Sequence, residues 1–107
     1  LQGRAMKYLT LLWLIWVTPA WADGFGQAET AYRDGRFAVA AQLGESLGTA
    51  AGDALAARAH LVLAAYLAPP LDRPRHLADA EAAVRRALIR DPDNVEAMLH
   101  LVIAMGY

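Results

Sequence analysis

The fold class is decided by one stretch of the sequence, AEAAVRRALIRDPDN, which occupies residues 80–94. Ala80, Val84 and Ala87 recur at intervals of three and four residues, so they share one face of a helix with about 3.6 residues per turn. Arginines on the opposite side are typical of a face turned to solvent. Pro92 cannot continue a helix, which predicts a turn directly after it. The stretch therefore predicts an amphipathic helix that packs through alanines.

The pattern is repeated along the chain. When the sequence is compared with itself at an offset of 40 positions, HLVLA at residues 60–64 aligns with HLVIA at residues 100–104. In the same register, residues 37–40 align with residues 77–80. A shorter offset of 34 relates the first helix to its later copy, because the proline-rich loop PPLDRP at residues 69–74 adds six residues. A repeat of this length indicates an array of stacked helix pairs.

Periodicity and turn residues together predict an all-α chain with five helices, at residues 24–34, 37–48, 53–68, 74–90 and 93–106. Asp53 and Asp93 stand at two predicted helix N-termini, where a carboxylate accepts a backbone N–H and meets the positive end of the dipole. Gly48 and Gly52 are expected to bracket one turn. The fifth helix has no successor to cover its apolar residues, which favours a fragment of a longer chain, a partner or a second copy at this end.

These residues resemble the tetratricopeptide repeat family. The resemblance is carried by the small residues Ala80 and Ala87 and by the Asp-Pro-x-Asn turn at residues 91–94. Residues of the first repeat are also similar to the family's pattern, namely Ala28, Tyr32, Gly35, Phe37 and Ala40. Departures are Leu47 at a position where the family prefers a small residue and Gly52 in place of the turn proline. The resemblance implies a right-handed α-solenoid of antiparallel helix pairs, with about two and a half repeats over residues 23–107. A HEAT-type array with a similar period stays open.

The N-terminal segment MKYLTLLWLIWVTPAWA, at residues 6–22, has the three regions of a secretory signal peptide. They are a basic start at Lys7, an apolar run at residues 9–17 and a small-x-small triplet that ends at Ala22. We expect a signal-peptide helix, cleavage after Ala22 and a periplasmic or secreted mature chain, as in exported bacterial proteins. Residues 1–5 would be an upstream remnant. A buried N-terminal helix and an uncleaved membrane anchor stay open, although the apolar run is shorter than the roughly 20 residues that span a bilayer.

Composition narrows the functional classes. The chain has no cysteine, which excludes disulfides, thiolate metal sites, a cysteine nucleophile and a lipid-modified cysteine. From Asp23 onward it carries eight arginines, no lysine and eleven acidic residues, a net charge of −3. This balance does not favour nucleic-acid binding.

The family resemblance implies binding of a protein or peptide on the concave face formed by the first helix of each repeat. Seven residues are placed on that face: Glu29, Tyr32, Arg33, Leu63, Tyr66, Leu99 and Ile103. The set is more apolar than charged, which favours an extended or helical partner segment held by hydrophobic contact. The function expected is an exported interaction scaffold. Alternatives are the N-terminal arm of a longer protein whose activity lies beyond residue 107, and a membrane-tethered scaffold with an uncleaved signal. Self-association through the fifth helix also stays open.

No catalytic, cofactor or metal site is predicted. His60 and His100 occupy equivalent repeat positions and are assigned to the framework of the fold, since a metal site needs several converging ligands. His76, beside the proline-rich loop, is expected to face solvent. The single serine has no nucleophile-elbow pattern around it.

One basic cluster has two interpretations. It consists of Arg73, Arg75, Arg85, Arg86 and Arg90. The first interpretation is a solvated face with ion pairs at helical spacing, Arg75 with Asp79 and Glu81 with Arg85. The second is a contact for an acidic partner or for anionic lipid headgroups.

Overall fold

The computed structural model describes residues 20–106, with side chains from Gly24 onward. These residues fold into helices joined by turns and form no strand, as the sequence predicts. The helices are α1 (Ala20–Arg33), α2 (Phe37–Ser46), α3 (Ala50–Val62), α4 (Arg73–Arg90) and α5 (Val95–Gly106). The signal peptide expected at residues 6–22 lies outside the described residues except for its last three, with which α1 begins. None of the described helices has the length and apolar character needed to cross a bilayer.

The helices pack in sequence order around a core built mainly from alanine. Each helix contacts the next one, and α1, α3 and α5 also contact one another in that order. The faces predicted for α2 and α4 point inward, with Ala40, Gly44, Ala80, Val84 and Ala87 buried and Phe37, Leu47 and Leu77 half-buried. Small side chains at these positions let the helix axes approach closely, which is how the alanine-rich pattern determines the packing.

The helices α2 and α3 meet backbone to backbone at Gly44 and Gly52. A Cβ atom added to Gly44 would lie 2.5 Å from the carbonyl oxygen of Gly52, and one added to Gly52 would clash with the carbonyl oxygen of Gly44. The prediction that Gly52 belongs to a turn is therefore wrong. The helix α3 already begins at Ala50, where the Thr49 hydroxyl accepts the backbone N–H of Gly52 at 3.0 Å. Glycine is needed here for close approach of two helices.

The predicted turns between the first helices are confirmed. Gly35 has φ of 82° and Gly48 has φ of 67°, both in the left-handed region that a side chain disfavours. The backbone N–H of Arg36 donates to the carbonyl of Ala31 at 2.9 Å, which closes the turn after α1. These two glycines reverse the chain without longer loops.

The end of α3 widens before the proline-rich loop. Leu63–Leu67 forms a π turn, in which the N–H of Ala68 donates to the carbonyl of Leu63 at 2.7 Å, and Pro70–Asp72 forms one 3₁₀ turn. The Arg73 Nε atom donates to the carbonyl of Ala64 at 3.0 Å. This side-chain bond ties the start of α4 to the widened end of α3.

Asp53 lies in the first turn of α3, near the helix N-terminus as predicted, but Thr49 is the cap and the Asp53 carboxylate forms a buried ion pair instead. Its side chain is almost fully buried, and its carboxylate accepts from Arg90 Nε at 3.0 Å and from Arg86 Nε at 3.5 Å. Arg90 also donates through Nη1 to the carbonyl of Gly48 at 2.5 Å. Two arginines assigned to a solvated face therefore join α4 to α3 and to the turn before it.

The other predicted polar contacts have different outcomes. Glu81 and Arg85 form the expected pair at 2.6 Å. Arg75 and Asp79, the second expected pair, form no ion pair in the part of the chain that the structure describes.

The capping residue of α5 also differs from the prediction. The Asn94 Oδ1 atom accepts the backbone N–H of Ala97 at 2.9 Å, one turn into the helix. Asp93, the predicted cap, instead donates its own backbone N–H to the Asp91 carboxylate at 3.2 Å. Asn94 therefore takes the capping role predicted for Asp93, because α5 begins two residues later than predicted.

Candidate functional site

The contacts among α1, α3 and α5 create one shared surface with two depressions. Five of the seven residues predicted for the binding face line these depressions. Glu29, Tyr32 and Arg33 line a polar depression beside α1, whereas Tyr66 and Ile103 line an apolar cleft between α3 and α5.

The apolar cleft lies where α3 and its π turn meet α5. Its lining residues are Arg58, Leu61, Val62, Ala65, Tyr66, His100 and Ile103, and its volume is about 180 Å³. Tyr66 stands at its edge with 81% of its surface exposed, and Ile103 is 40% exposed. Small-molecule sites usually enclose about 300–1,000 Å³, so a cleft of this size suits a single side chain of a partner better than a cofactor.

The polar depression is lined by Glu29, Tyr32, Arg33 and Arg58 and has a volume of about 310 Å³. Arg33 Nη2 lies 3.4 Å from Glu29 Oε2, one turn apart on α1. The Tyr32 ring packs edge-on against Phe37 with ring centroids 5.1 Å apart. This contact fixes the Tyr32 ring between the end of α1 and the start of α2.

Arg58 lines both depressions, and it was not predicted from the sequence. Its guanidinium carbon lies 4.5 Å from the centroid of the Tyr32 ring, and its Nη1 atom lies 3.8 Å from Glu96 Oε1. Its Nε atom is shielded from solvent and has no hydrogen-bond partner among residues 24–106. One side chain of α3 therefore contacts both α1 and α5. The sequence does contain a signal, because Arg58 is the only acidic or basic residue, apart from His60, between Asp53 and Asp72.

His100 supplies a polar edge to the otherwise apolar cleft. It is 8% exposed, and its Nε2 atom lies 3.3 Å from Glu96 Oε1, four residues earlier on α5. Glu96 thus contacts both polar residues of the cleft, His100 and Arg58. Glu96 therefore holds the side chains of Arg58 and His100 on the same side of the cleft.

Leu63 and Leu99, the remaining two predicted residues, line neither depression. Leu63 is half-buried at the start of the π turn. Leu99 is 57% exposed on α5. Three other apolar residues of the same helix are exposed as well, namely Val95, Val102 and Met105.

The other two histidines lie next to each other, and only His76 departs from its prediction. His60 and His76 approach with ring centroids 6.0 Å apart, across the interface of α3 and α4. His76 is half-buried, so its assignment to solvent is wrong. Asp79 lies with them, in place of its predicted pairing with Arg75.

Comparisons of the chain with protein-family models, with curated proteins and with solved structures found no match.

Proposed function

We propose that this chain is an exported interaction scaffold, a right-handed α-solenoid of tetratricopeptide-like helix pairs that binds a protein or peptide partner. The binding face is the surface shared by α1, α3 and α5. The observation that carries the proposal is the apolar cleft between α3 and α5, with the exposed Tyr66 at its edge. Sequential packing of the helices and glycine or alanine at their crossings support the repeat architecture.

The chemistry of the face favours a partner segment with an apolar anchor. A leucine- or phenylalanine-sized side chain would enter the cleft, where Val62 and Ile103 form apolar walls. Aromatic residues such as Tyr66 contribute large contact area at little cost in side-chain entropy. Arg58 and His100 can exchange hydrogen bonds with the backbone of the bound segment.

Charge argues against an acidic peptide as the preferred partner. Arg33 lies 3.4 Å from Glu29, and Arg58 lies 3.8 Å from Glu96, so each arginine of the face has a glutamate beside it. A carboxylate of the partner would have to compete with these glutamates. Hydrophobic contact is therefore the main source of affinity in this proposal.

Binding can be tested with selected peptides. The full chain is used to select short peptides from a displayed library, and a synthetic peptide is then titrated by fluorescence anisotropy. Tyr66→Ala and Ile103→Asp should each weaken binding at least about tenfold, which corresponds to a loss of about 1.4 kcal/mol. Leu71→Ala is the matched control, since Leu71 is 94% exposed on the 3₁₀ turn outside the cleft. Unchanged affinity in both cleft variants would contradict the proposed face.

Export rests on the features of residues 6–22 and has its own test. Mass spectrometry of the protein recovered from a bacterial periplasm or culture medium should give the mass of a chain whose first residue is Asp23. A cell-associated form that retains residues 6–22 would favour the tethered scaffold instead. A longer reading frame that continues past residue 107 would favour the N-terminal arm of a larger protein.

A further inference from the structure

Three potential metal ligands converge at the interface between α3 and α4. They are His60 near the end of α3 and His76 and Asp79 in the first two turns of α4. One ring nitrogen of each histidine and one carboxylate oxygen of Asp79 all lie within 4.8 Å of one another. His76 and Asp79 are three residues apart, so the helix itself places them on one side.

The histidines carry nitrogen atoms for which the protein offers no hydrogen-bond partner. The Nδ1 atoms of His60 and His76 are both shielded from solvent, and neither is bonded within the described part of the chain. A buried polar atom without a partner is unfavourable, because it has given up its hydrogen bonds to water and gained none in exchange. A ligand bound by both histidines would give these two nitrogen atoms the partner that they lack.

The other nitrogen of His60 is already oriented. Its Nε2 atom lies 3.0 Å from Glu45 Oε1, and Glu45 is in turn 3.6 Å from Arg86 Nη2. Metal-binding histidines usually donate their second ring N–H to a carboxylate, which fixes the ring and raises the basicity of the ligating nitrogen. Glu45 occupies this supporting position for His60 and is itself held by Arg86.

We propose that His60, His76 and Asp79 bind a divalent transition-metal ion of the zinc class. Two imidazole nitrogens and one carboxylate oxygen form a ligand set that suits Zn²⁺, whereas Ca²⁺ and Mg²⁺ prefer oxygen ligands alone. Water completes a tetrahedral site with three protein ligands. The ion joins α3 to α4 beside the proline-rich loop, on an interface separate from the apolar cleft.

Closing the site requires only small side-chain movements. Tetrahedral ligands at zinc bond lengths of about 2.0–2.1 Å lie about 3.3–3.4 Å apart. The present separations of up to 4.8 Å must therefore shrink by at most about 1.5 Å. Asp79 is exposed and His76 is only half-buried, so both can change their side-chain torsions without moving a helix.

The test is a calorimetric titration of the full chain with Zn²⁺, using metal-free protein that carries no polyhistidine tag. One equivalent should bind. His76→Gln and Asp79→Asn should each weaken binding at least about tenfold, since each removes a ligand. Asp93→Asn, which makes the same change at an exposed aspartate outside the group, should leave Zn²⁺ affinity unchanged. Circular dichroism checks that every variant remains helical, and the exposed Asp79 keeps the test valid if a histidine variant unfolds.

Cobalt gives an independent readout. Co²⁺ in a four-coordinate site has strong visible absorption, which the unmodified chain should show and His76→Gln should lose. Absence of Zn²⁺ binding by the unmodified chain would overturn the proposal. Zn²⁺ affinity that is equal in the unmodified chain, His76→Gln and Asp79→Asn would overturn it as well, because the ion would then be bound elsewhere.

Discussion

A methyl group added at Gly44 is expected to destabilise the protein, although alanine is the better helix former. The new Cβ atom would lie 2.5 Å from the carbonyl oxygen of Gly52, a backbone atom that cannot rotate away. Favourable contact needs about 3.5 Å, so α2 and α3 would have to separate by about 1 Å. Overpacking of this kind costs about 1–3 kcal/mol, whereas the gain in helix propensity is at most about 1 kcal/mol. The net effect of Gly44→Ala is a loss of about 1 kcal/mol.

Gly26→Ala is the matched control for this substitution. Gly26 lies inside α1, and a Cβ atom added there would have nothing within 4 Å. This variant should show only the gain in helix propensity, so the two variants should differ by about 1–3 kcal/mol in the free energy of unfolding. For a domain of this size the melting temperatures should differ by at least about 4 °C. Urea and thermal unfolding followed by circular dichroism measure both quantities. If Gly44→Ala is stabilised as much as Gly26→Ala, the close contact of α2 and α3 is refuted.

Three further predictions use paired variants or paired readouts. Arg90→Met leaves the buried aspartate of α3 with one arginine and should lower the unfolding free energy by about 1–3 kcal/mol, whereas Arg85→Met removes an exposed pair worth about 0.3–0.5 kcal/mol. Equal losses in urea titrations would contradict the role of the buried pair. Asn94→Ala removes the cap of α5 and should cost about 1 kcal/mol, and Asp93→Ala should cost clearly less in the same assay. Tyr66→Ala should leave the melting temperature unchanged because the ring is 81% exposed, and a large decrease would show that Tyr66 supports the fold.

The helical architecture could be predicted because it depends on local patterns. The alanine period identified α4 and its buried face, and the proline-rich loop identified the extra length between α3 and α4. The turns at Gly35 and Gly48 could be predicted because a positive φ is a property of a single position and favours glycine there. Gly52 was misread for the opposite reason. Its small size serves a contact with another helix, and no pattern along α3 reveals that partner.

The polar contacts were harder to predict because they depend on how helices are rotated against one another. The pairing of Asp53 with Arg90 joins residues 37 positions apart, and it buries a carboxylate that the local sequence placed at a helix end. His60 and His76 lie side by side because the loop between α3 and α4 determines how far α4 is shifted along α3. Arg58 could not be predicted from the pattern of α3 alone, because its contacts are with Tyr32 of α1 and Glu96 of α5.

The π turn at Leu63–Leu67 has a consequence for how this protein can change in length. A π turn carries an additional residue compared with the α-helical path, so loss of one residue here would restore regular hydrogen bonds and leave the flanking turns in register. The crossing of α3 with α2 would stay as it is, since Gly44 and Gly52 lie outside the widened segment. Side chains at the edge of the cleft, Tyr66 among them, would be repositioned, together with the contact between the π turn and the start of α4. Insertions and deletions at this one helix end would therefore let related chains diverge in what they recognise while they keep a common scaffold.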